Sequence, residues 1–273
     1  MPNATTSHYT LNPKQFDLLR LLYRFRFATS QHLATSLGLK SDTVNQRLQV
    51  LLGQEYIGRH YDGQYKIHGK PAEYYLLENG IKALKQSAPE KSDYKVLHNL
   101  YKDKTAKPSF IAHSLAVFSI YCRLKQRYRD DLRFFTASQI HSYKHFPKQR
   151  PDALIRLDVV GVRKEFFLEV MDPNKPFFAY VGKVKRYLDY ADDGTWTEKT
   201  GDKLPKILIV ADVVGTEIRF QKQASRLLKR HYEEEPNLFT TTTSKLGAIA
   251  PSHDRVWRDV EDPEQVVALH EIG

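Results

Sequence analysis

The sequence predicts an α+β protein in two parts: an N-terminal winged helix-turn-helix and a following α/β domain with a mixed sheet. Three observations predict it. Apolar residues recur at helical spacing in three successive runs between residues 12 and 52. An Asp-Gly pair then separates two β-rich runs, which is typical of a hairpin. Beyond residue 108, helical and strand-like patterns alternate, as expected for helices packed on a sheet.

Three helices are predicted at the N-terminus. The first begins at Asn12-Pro13, a capping residue followed by a proline in the first turn. Thr29 or Ser30 caps a short second helix, and Gly38 ends it. Ser41 is predicted to cap a third helix. The apolar stripe of that helix consists of Val44, Leu48, Leu51 and Leu52. Two short helices around a glycine, after a longer one, form a helix-turn-helix.

A wing is predicted to follow the third helix. The β-rich runs 56–61 and 64–67 flank Asp62-Gly63, which predicts a hairpin. A further run, 72–77, leads through Asn79-Gly80 to a closing helix from Ile81. The same elements could also build a module that docks onto another protein.

The polar face of the third helix favours duplex DNA as the partner. Amide and guanidinium side chains can form paired hydrogen bonds with purine edges in the major groove. Side chains at the helix start and in the wing are placed for backbone phosphates. The predicted DNA-contacting residues are Lys40, Ser41, Thr43, Asn45, Gln46, Arg47, Arg59, Lys66 and Lys70. The alternative is an ordinary solvated polar face.

Charge and cysteine content limit the class of protein. The 273 residues carry a net charge of +10, which favours a polyanionic partner such as nucleic acid. Residues 1–85 hold 11 Lys and Arg against 6 Asp and Glu, so half of this excess lies in the N-terminal part. Cys122 is the only cysteine, which excludes an intramolecular disulfide and a cysteine-based zinc finger. These features, without a signal-like start or an apolar run of about 20 residues, predict a protein of the reducing cytoplasm.

The second part is predicted as helix, strands, helix, strand, helix and strand. The corresponding ranges are 108–129, 132–136, 153–160, 164–170, 181–190, 205–210, 217–232 and 238–243. The 153–160 and 164–170 strands form a hairpin around Gly161. The predicted division is a winged helix-turn-helix over 8–86, a linker over 87–107, the α/β domain over 108–262 and a C-terminal tail over 263–273.

Two acids on neighbouring strands form the candidate catalytic site. Asp152 precedes one strand, and Glu169 lies within the other, where a carboxylate is costly unless it meets a cation or a cleft. Such a pair can hold Mg²⁺ or Mn²⁺ as a cofactor. Lys183, one turn into the next helix, would supply a stabilising cation. A structural salt bridge of Glu169 with Lys183 or Arg186 is the alternative.

Nearby residues have simpler interpretations. Asp172, in Asp172-Pro173-Asn174, is most simply part of a turn that ends the strand, with a role as a second candidate ligand as the alternative. His113, near the start of the long helix, is expected to be a packing or hydrogen-bonding residue.

Short motifs in both parts resemble the replication-relaxation family. They are Arg150-Pro151-Asp152-Ala153, Phe167-Leu168-Glu169-Val170, Lys183-Val184-Lys185-Arg186-Tyr187 and the wing pattern 69–76 followed by Gly80. The resemblance spans roughly residues 12–260. It implies a protein of a plasmid or other mobile element, acting in replication, relaxation or mobilisation, with relaxase or replication proteins as partners.

The second domain of such proteins is similar to the PD-(D/E)XK nuclease fold. By that resemblance Asp152 matches the motif aspartate and Glu169 the second acid, while Met171 stands where a nuclease has lysine. One hypothesis is therefore a double-stranded DNA-binding protein whose nuclease-like domain does not cut. The alternative is a divalent-metal endonuclease or nickase that uses Asp152, Glu169 and Lys183. A winged-helix transcriptional regulator is a further alternative.

Overall fold

The computed structural model describes residues 11–87, 97–231, 237–250 and 252–273. The chain divides into two units, Met1–Ala106 and Lys107–Gly273. Parts of the predicted ranges, namely 8–10, 88–96, 232–236 and 251, lie outside the described residues.

The first unit contains three helices followed by a small sheet. Its elements are α1 (Pro13–Phe25), α2 (Ser30–Leu37), α3 (Ser41–Gly53), β1 (Ile57–His60), α4 (Gly63–Ile67), β2 (Glu73–Leu76) and α5 (Glu78–Ser87). Asn12 and Thr29 cap α1 and α2 as predicted. Gly38 ends α2 in the left-handed conformation. The cap of α3 differs from the prediction, because Lys40 is at the N-cap position and provides no side-chain hydrogen bond.

The predicted hairpin around Asp62-Gly63 is wrong. The Asp62 side chain accepts hydrogen bonds from the backbone N–H groups of Gln64 and Tyr65 at 2.9 and 3.1 Å, so it caps the short helix α4 instead of starting a turn. The partner of β1 is β2, which pairs with it in antiparallel register from Ile57–Leu76 to His60–Glu73. A wing-like sheet is therefore present, with α4 in its connection.

The end of the predicted linker packs within the first unit. Leu97–Thr105 forms a 3₁₀ helix, and Leu100 is buried. Asp103 is also buried and accepts hydrogen bonds from Arg26 through both oxygens, with an Arg26 Nε–Asp103 Oδ2 distance of 2.9 Å. Arg26 follows α1 and has a positive φ of 70°. This segment is therefore attached to the start of the helix-turn-helix.

The second unit is a mixed sheet with helices packed on it. Its elements are α6 (Pro108–Tyr128), β3 (Leu132–Thr136), α7 (Ala137–Ile140), β4 (Ala153–Val159), β5 (Val162–Val170), α8 (Phe177–Asp192), α9 (Thr195–Thr200), β6 (Lys206–Ala211), α10 (Val214–His231), β7 (Leu238–Thr242), α11 (Thr243–Gly247), β8 (Trp257–Asp259) and β9 (Val266–Val267). A 3₁₀ turn joins α6 to β3. The seven strands lie side by side in chain order, from β3 to β9.

Strand direction follows the connections. The β5–β6 and β6–β7 pairs are parallel and are joined through helices, whereas the other neighbouring pairs are antiparallel. The predicted mixed sheet and the hairpin around Gly161 are confirmed. Strands β8 and β9 were not predicted, and β9 falls inside the predicted tail. They are only three and two residues long, which leaves little alternation to detect.

The core of the second unit places helix α8 over the central strands. Tyr187 and Leu188 of α8 pack with Phe167 of β5 and Ile207 of β6 in one apolar cluster. This packing brings one face of α8 next to Glu169, which lies two residues after Phe167. No helix in the described ranges is both long and apolar enough to span a membrane.

Candidate functional site

The polar face of α3 is exposed in the first unit. Val44, Leu48 and Leu51 are fully buried, whereas Asn45 and Gln46 are exposed. Exposure is also high for Lys40, Ser41 and Gln49, and it is intermediate for Thr43 and Arg47. The predicted division of α3 into a core face and a polar face is therefore observed. Gln31 of α2 accepts a 3.4 Å hydrogen bond from Ser41 and so contacts the start of this face.

The basic residues of the wing gather around one aromatic ring. Arg59 and Lys66 lie 5.7 and 5.9 Å from the ring centroid of Tyr61, which is 39% exposed. Lys66 belongs to α4, a helix at a position where a strand was predicted. Its ammonium nevertheless lies near the same ring as the Arg59 guanidinium. Lys70 is exposed beyond α4. The wing thus has an exposed cationic and aromatic surface, a combination that suits phosphate contacts.

Strand pairing places the two acids of the second unit beside each other. Ala153 of β4 is opposite Leu168 of β5, so the preceding Asp152 is next to Glu169. The N–H of Asp152 donates to the carbonyl of Leu168 at 2.9 Å, which extends the pairing to this residue. The juxtaposition predicted from the sequence is therefore present in the structure.

Glu169 is buried, and both of its carboxylate oxygens are hydrogen-bonded. Lys183 Nζ contacts Oε2 at 2.6 Å, and the Tyr187 hydroxyl donates to Oε1. Burial raises the pKa of the Glu169 carboxyl to about 7, because it outweighs the lowering effects of Lys183 and Tyr187, and the charge of Asp152 raises it further. Lys183 and Tyr187 are four residues apart on α8, so one helix face supplies both donors.

Asp152 is paired with a histidine from another element. His113 Nε2 of α6 lies 2.9 Å from Asp152 Oδ1, and the backbone N–H of Val170 donates to Oδ2 at 2.8 Å. Burial opposes the charge on each partner. Their mutual attraction nevertheless raises the pKa of His113 and lowers that of Asp152, which favours imidazolium against carboxylate. His113 is therefore part of the acidic site.

The other residues near the acids have structural positions. Met171 is buried in the apolar cluster under α8, so it brings no charge to the position where a PD-(D/E)XK nuclease would have lysine. Asp172 Oδ1 accepts the backbone N–H of Asn174 at 2.9 Å, which is a turn at the end of β5. Arg186 donates to Gln149 at 2.6 Å instead of pairing with Glu169.

The carboxylate oxygens of Asp152 and Glu169 are not available as ligands for a divalent cation in this arrangement. Each carboxylate oxygen of Asp152 and Glu169 already accepts a hydrogen bond from a side chain or the backbone. Among the described residues no group of three or more His, Cys, Asp or Glu could hold a metal ion. Hard cations such as Mg²⁺ need several free oxygen ligands.

Sequence reasoning identified part of this site. It named Asp152, Glu169 and Lys183, which the structure brings together. It expected His113 to pack or to form a hydrogen bond but did not name Asp152 as its partner, and it did not predict the role of Tyr187. The spacing of Lys183 and Tyr187 on one helix was a usable signal for the second donor. No pattern in the sequence linked His113 to Asp152, because 39 residues separate them.

One protein-family model matches the chain. The family is described as Replication-relaxation, and the match covers residues 19–204, which is more than half of the sequence. No curated protein matches the chain.

Two kinds of solved structure show weak likeness. A mutant of Lactococcus lactis ZitR is 18% identical with a TM-score of 0.26, over 45% of this chain and 80% of that one. The restriction endonuclease FokI is 11% identical with a TM-score of 0.34, over 90% of this chain but only 45% of FokI. The structure of FokI bound to DNA gives 12% identity and a TM-score of 0.32 with the same coverage. At such low TM-scores these likenesses transfer neither a fold nor an activity to this chain.

Proposed function

Because the chain belongs to the replication-relaxation family, we propose that it is a double-stranded DNA-binding protein of a plasmid or other mobile element. It acts in replication, relaxation or mobilisation, and its second unit has a PD-(D/E)XK nuclease-like fold. The observation that supports DNA binding most directly is the exposed polar face of α3, whose opposite face is buried in the first unit. The basic wing around Tyr61 adds a second cationic surface to the same unit.

In this proposal the two surfaces have different tasks. Asn45, Gln46 and Arg47 of α3 read base edges, because amide and guanidinium groups form paired hydrogen bonds with purines. Lys40, at the start of α3, and Arg59 and Lys66 of the wing contact phosphates and fix the register on the duplex. Relaxase or replication proteins are the proposed protein partners.

Substitutions in α3 test this proposal. Lys40→Ala removes a phosphate contact, so it should weaken binding to all duplexes and lower the salt dependence by about one phosphate contact. Arg47→Ala should weaken binding by about 1–3 kcal/mol. It should also reduce the difference in affinity between duplexes of different sequence. Both effects are measured by fluorescence anisotropy with labelled duplexes at several salt concentrations.

Lys85→Ala is the matched control, because it removes an exposed lysine from the last turn of α5 that is not among the predicted DNA-contacting residues. It should leave affinity nearly unchanged. Unchanged affinity in Lys40→Ala and Arg47→Ala would remove α3 from the DNA interface.

A second candidate, a divalent-metal endonuclease or nickase, is kept because Lys183 contacts Glu169. A nuclease needs a cation near its acids, and this lysine compensates in part for Met171. Against this candidate, the oxygens of both acids are already occupied by donors within the chain. We therefore expect the nuclease-like unit to act in binding and not in cleavage.

Plasmid cleavage separates the two candidates. Supercoiled plasmid incubated with the native protein and Mg²⁺ or Mn²⁺ should remain uncut, while a gel shift shows that binding is retained. Asp152→Ala and Glu169→Ala serve as comparison proteins. Cutting by the native protein that disappears in both variants would make the chain an endonuclease.

A further inference from the structure

The ammonium group of Lys183 lies between two oxygens of the acidic site. Its Nζ is 2.6 Å from Glu169 Oε2 and 2.9 Å from the backbone carbonyl oxygen of Arg150, two residues before Asp152. Carboxylate and peptide carbonyl oxygens are the ligands that hard divalent cations take in proteins. We propose that the Lys183 ammonium replaces a divalent cation in this site, so that the native chain holds its two acids without metal.

The surroundings of Lys183 fix the ammonium in that place. The side chain leaves α8 on the face that carries buried Val184 and Tyr187, and it is 19% exposed, whereas the Glu169 side chain is 3% exposed. Separating a pair with so little solvent contact leaves one charge buried without compensation. A divalent cation would have to displace the ammonium and bear that cost before it gained any ligand.

The second acid is satisfied in a similar way. His113 and the backbone N–H of Val170 occupy the two oxygens of Asp152. Each acid therefore has its own cationic side chain and one further donor. Met171 adds no oxygen ligand, because its side chain is buried among apolar residues.

The proposal has a consequence that a plain structural salt bridge does not share. Replacing Lys183 with a neutral side chain of similar length frees Glu169 Oε2 and the Arg150 carbonyl oxygen. A divalent cation that binds these two oxygens can add Asp152 Oδ1 as a third ligand once it displaces the His113 imidazole from that oxygen. Lys183→Met should therefore gain a metal site that the native protein lacks.

The experiment titrates Mn²⁺ into the full chain by isothermal titration calorimetry, without DNA. The native protein should give no isotherm for a single site, whereas Lys183→Met should give an isotherm with one Mn²⁺ bound per chain. Lys185→Met is the matched control, since Lys185 is on the same helix but exposed and paired with Asp189 at 3.2 Å. It should behave like the native protein. Adding Glu169→Gln to Lys183→Met should abolish the gained site.

Three outcomes overturn the proposal. One is stoichiometric Mn²⁺ binding by the native protein that Glu169→Gln removes. Another is a folded Lys183→Met protein that binds no Mn²⁺, because the ammonium would then not be what excludes the metal. The third is equal gain in Lys183→Met and Lys185→Met, which would indicate a loss of general repulsion.

Lys183→Gln, which also removes the charge, replaces Lys183→Met if that variant does not fold. The same gain of one Mn²⁺ site is expected of it, and a folded Lys183→Gln protein that binds no Mn²⁺ overturns the proposal. The inference concerns the nuclease-like unit alone. If it fails, the proposal that α3 binds DNA is unaffected, and if α3 does not bind DNA, the inference about Lys183 is unaffected.

Discussion

At the scale of single residues, Glu169 shows how a strand accommodates a charged group. The residue is on β5, between β4 and β6, and only 2% of its surface is exposed. An isolated carboxylate in that position would be strongly unfavourable. Lys183 and Tyr187 compensate for burial, but only in part, since the pKa of Glu169 stays above its ordinary value.

The raised pKa of Glu169 predicts a pH-dependent stability. Its value rises from 4.5 in the unfolded chain to about 7 in the folded one. The folded state therefore binds the proton more tightly, and the stabilisation from this group is fully present below pH 4.5 and is lost as the pH rises through about 7. The free energy of unfolding of the native protein should accordingly fall, relative to that of Glu169→Gln, over this interval. Urea denaturation at several pH values measures it.

Glu169→Gln is the reference because it removes the titrating group and keeps the shape of the side chain. The native pairing of His113 with Asp152 titrates in both proteins, so its effect largely cancels in the difference. A difference that stays constant over the interval, or grows with pH, would contradict the raised pKa.

Residue-scale prediction from sequence succeeded where one periodic element carried the signal. The alternation of residues along β5 predicted that Glu169 lies within an apolar strand, and the strand is buried there. The position of Lys183 one turn into the next helix predicted its contact with Glu169, which is present. For His113 the expected hydrogen bond is present, but its partner Asp152 was not predicted, because that partner is set by how α6 packs against the sheet and not by local spacing. Sequence reasoning gave Asp62 the wrong role, because Asp-Gly suits both a tight turn and a helix start.

At the scale of elements, the 3₁₀ segment that ends the first unit stabilises the helix-turn-helix. Asp103 pairs with Arg26 after α1, and its backbone carbonyl lies 3.3 Å from His60 Nε2 on β1. A single residue therefore ties the segment both to the end of a helix and to the wing sheet.

Removal of Asp103 should destabilise the first unit. Asp103→Ala leaves the partly buried Arg26 guanidinium without its carboxylate, and breaking such a pair costs about 3 kcal/mol. The measurement is thermal or urea unfolding followed by circular dichroism. Asp17→Ala is the matched control, because it breaks the exposed Arg20–Asp17 pair at 3.1 Å and should cost less than about 1 kcal/mol. Equal losses in the two variants would show that burial of the Arg26–Asp103 pair is unimportant.

Element boundaries were predicted best where caps mark them. Asn12 and Thr29 begin helices as expected. The 3₁₀ segment was predicted only as a linker with a single helical turn, because its charged sequence, 101–107, is typical of a solvated linker. Its contacts with Arg26 and His60 are tertiary, and no local pattern shows them.

At the scale of the whole molecule, charge is unevenly divided between the units. Residues 1–106 hold 15 Lys and Arg against 9 Asp and Glu, so most of the net charge of +10 belongs to the unit that carries α3 and the wing. The proposed division of labour follows from this distribution. Under the proposed function, the first unit attracts the duplex at long range, with an affinity that falls as salt rises. The second unit holds 27 Lys and Arg against 23 Asp and Glu, so it is nearer to neutrality and contributes less to this attraction.

The place of Asp103 decides how the protein can be divided for separate study. A truncation after residue 86, at the end of the helical pattern, would discard the Asp103 carboxylate that pairs with Arg26. Such a fragment would be prone to aggregate, because the apolar surface against which Leu100 is buried would be exposed to solvent. A fragment that extends through Ala106 keeps the Arg26–Asp103 pair and Leu100, and it matches the boundary of the first unit.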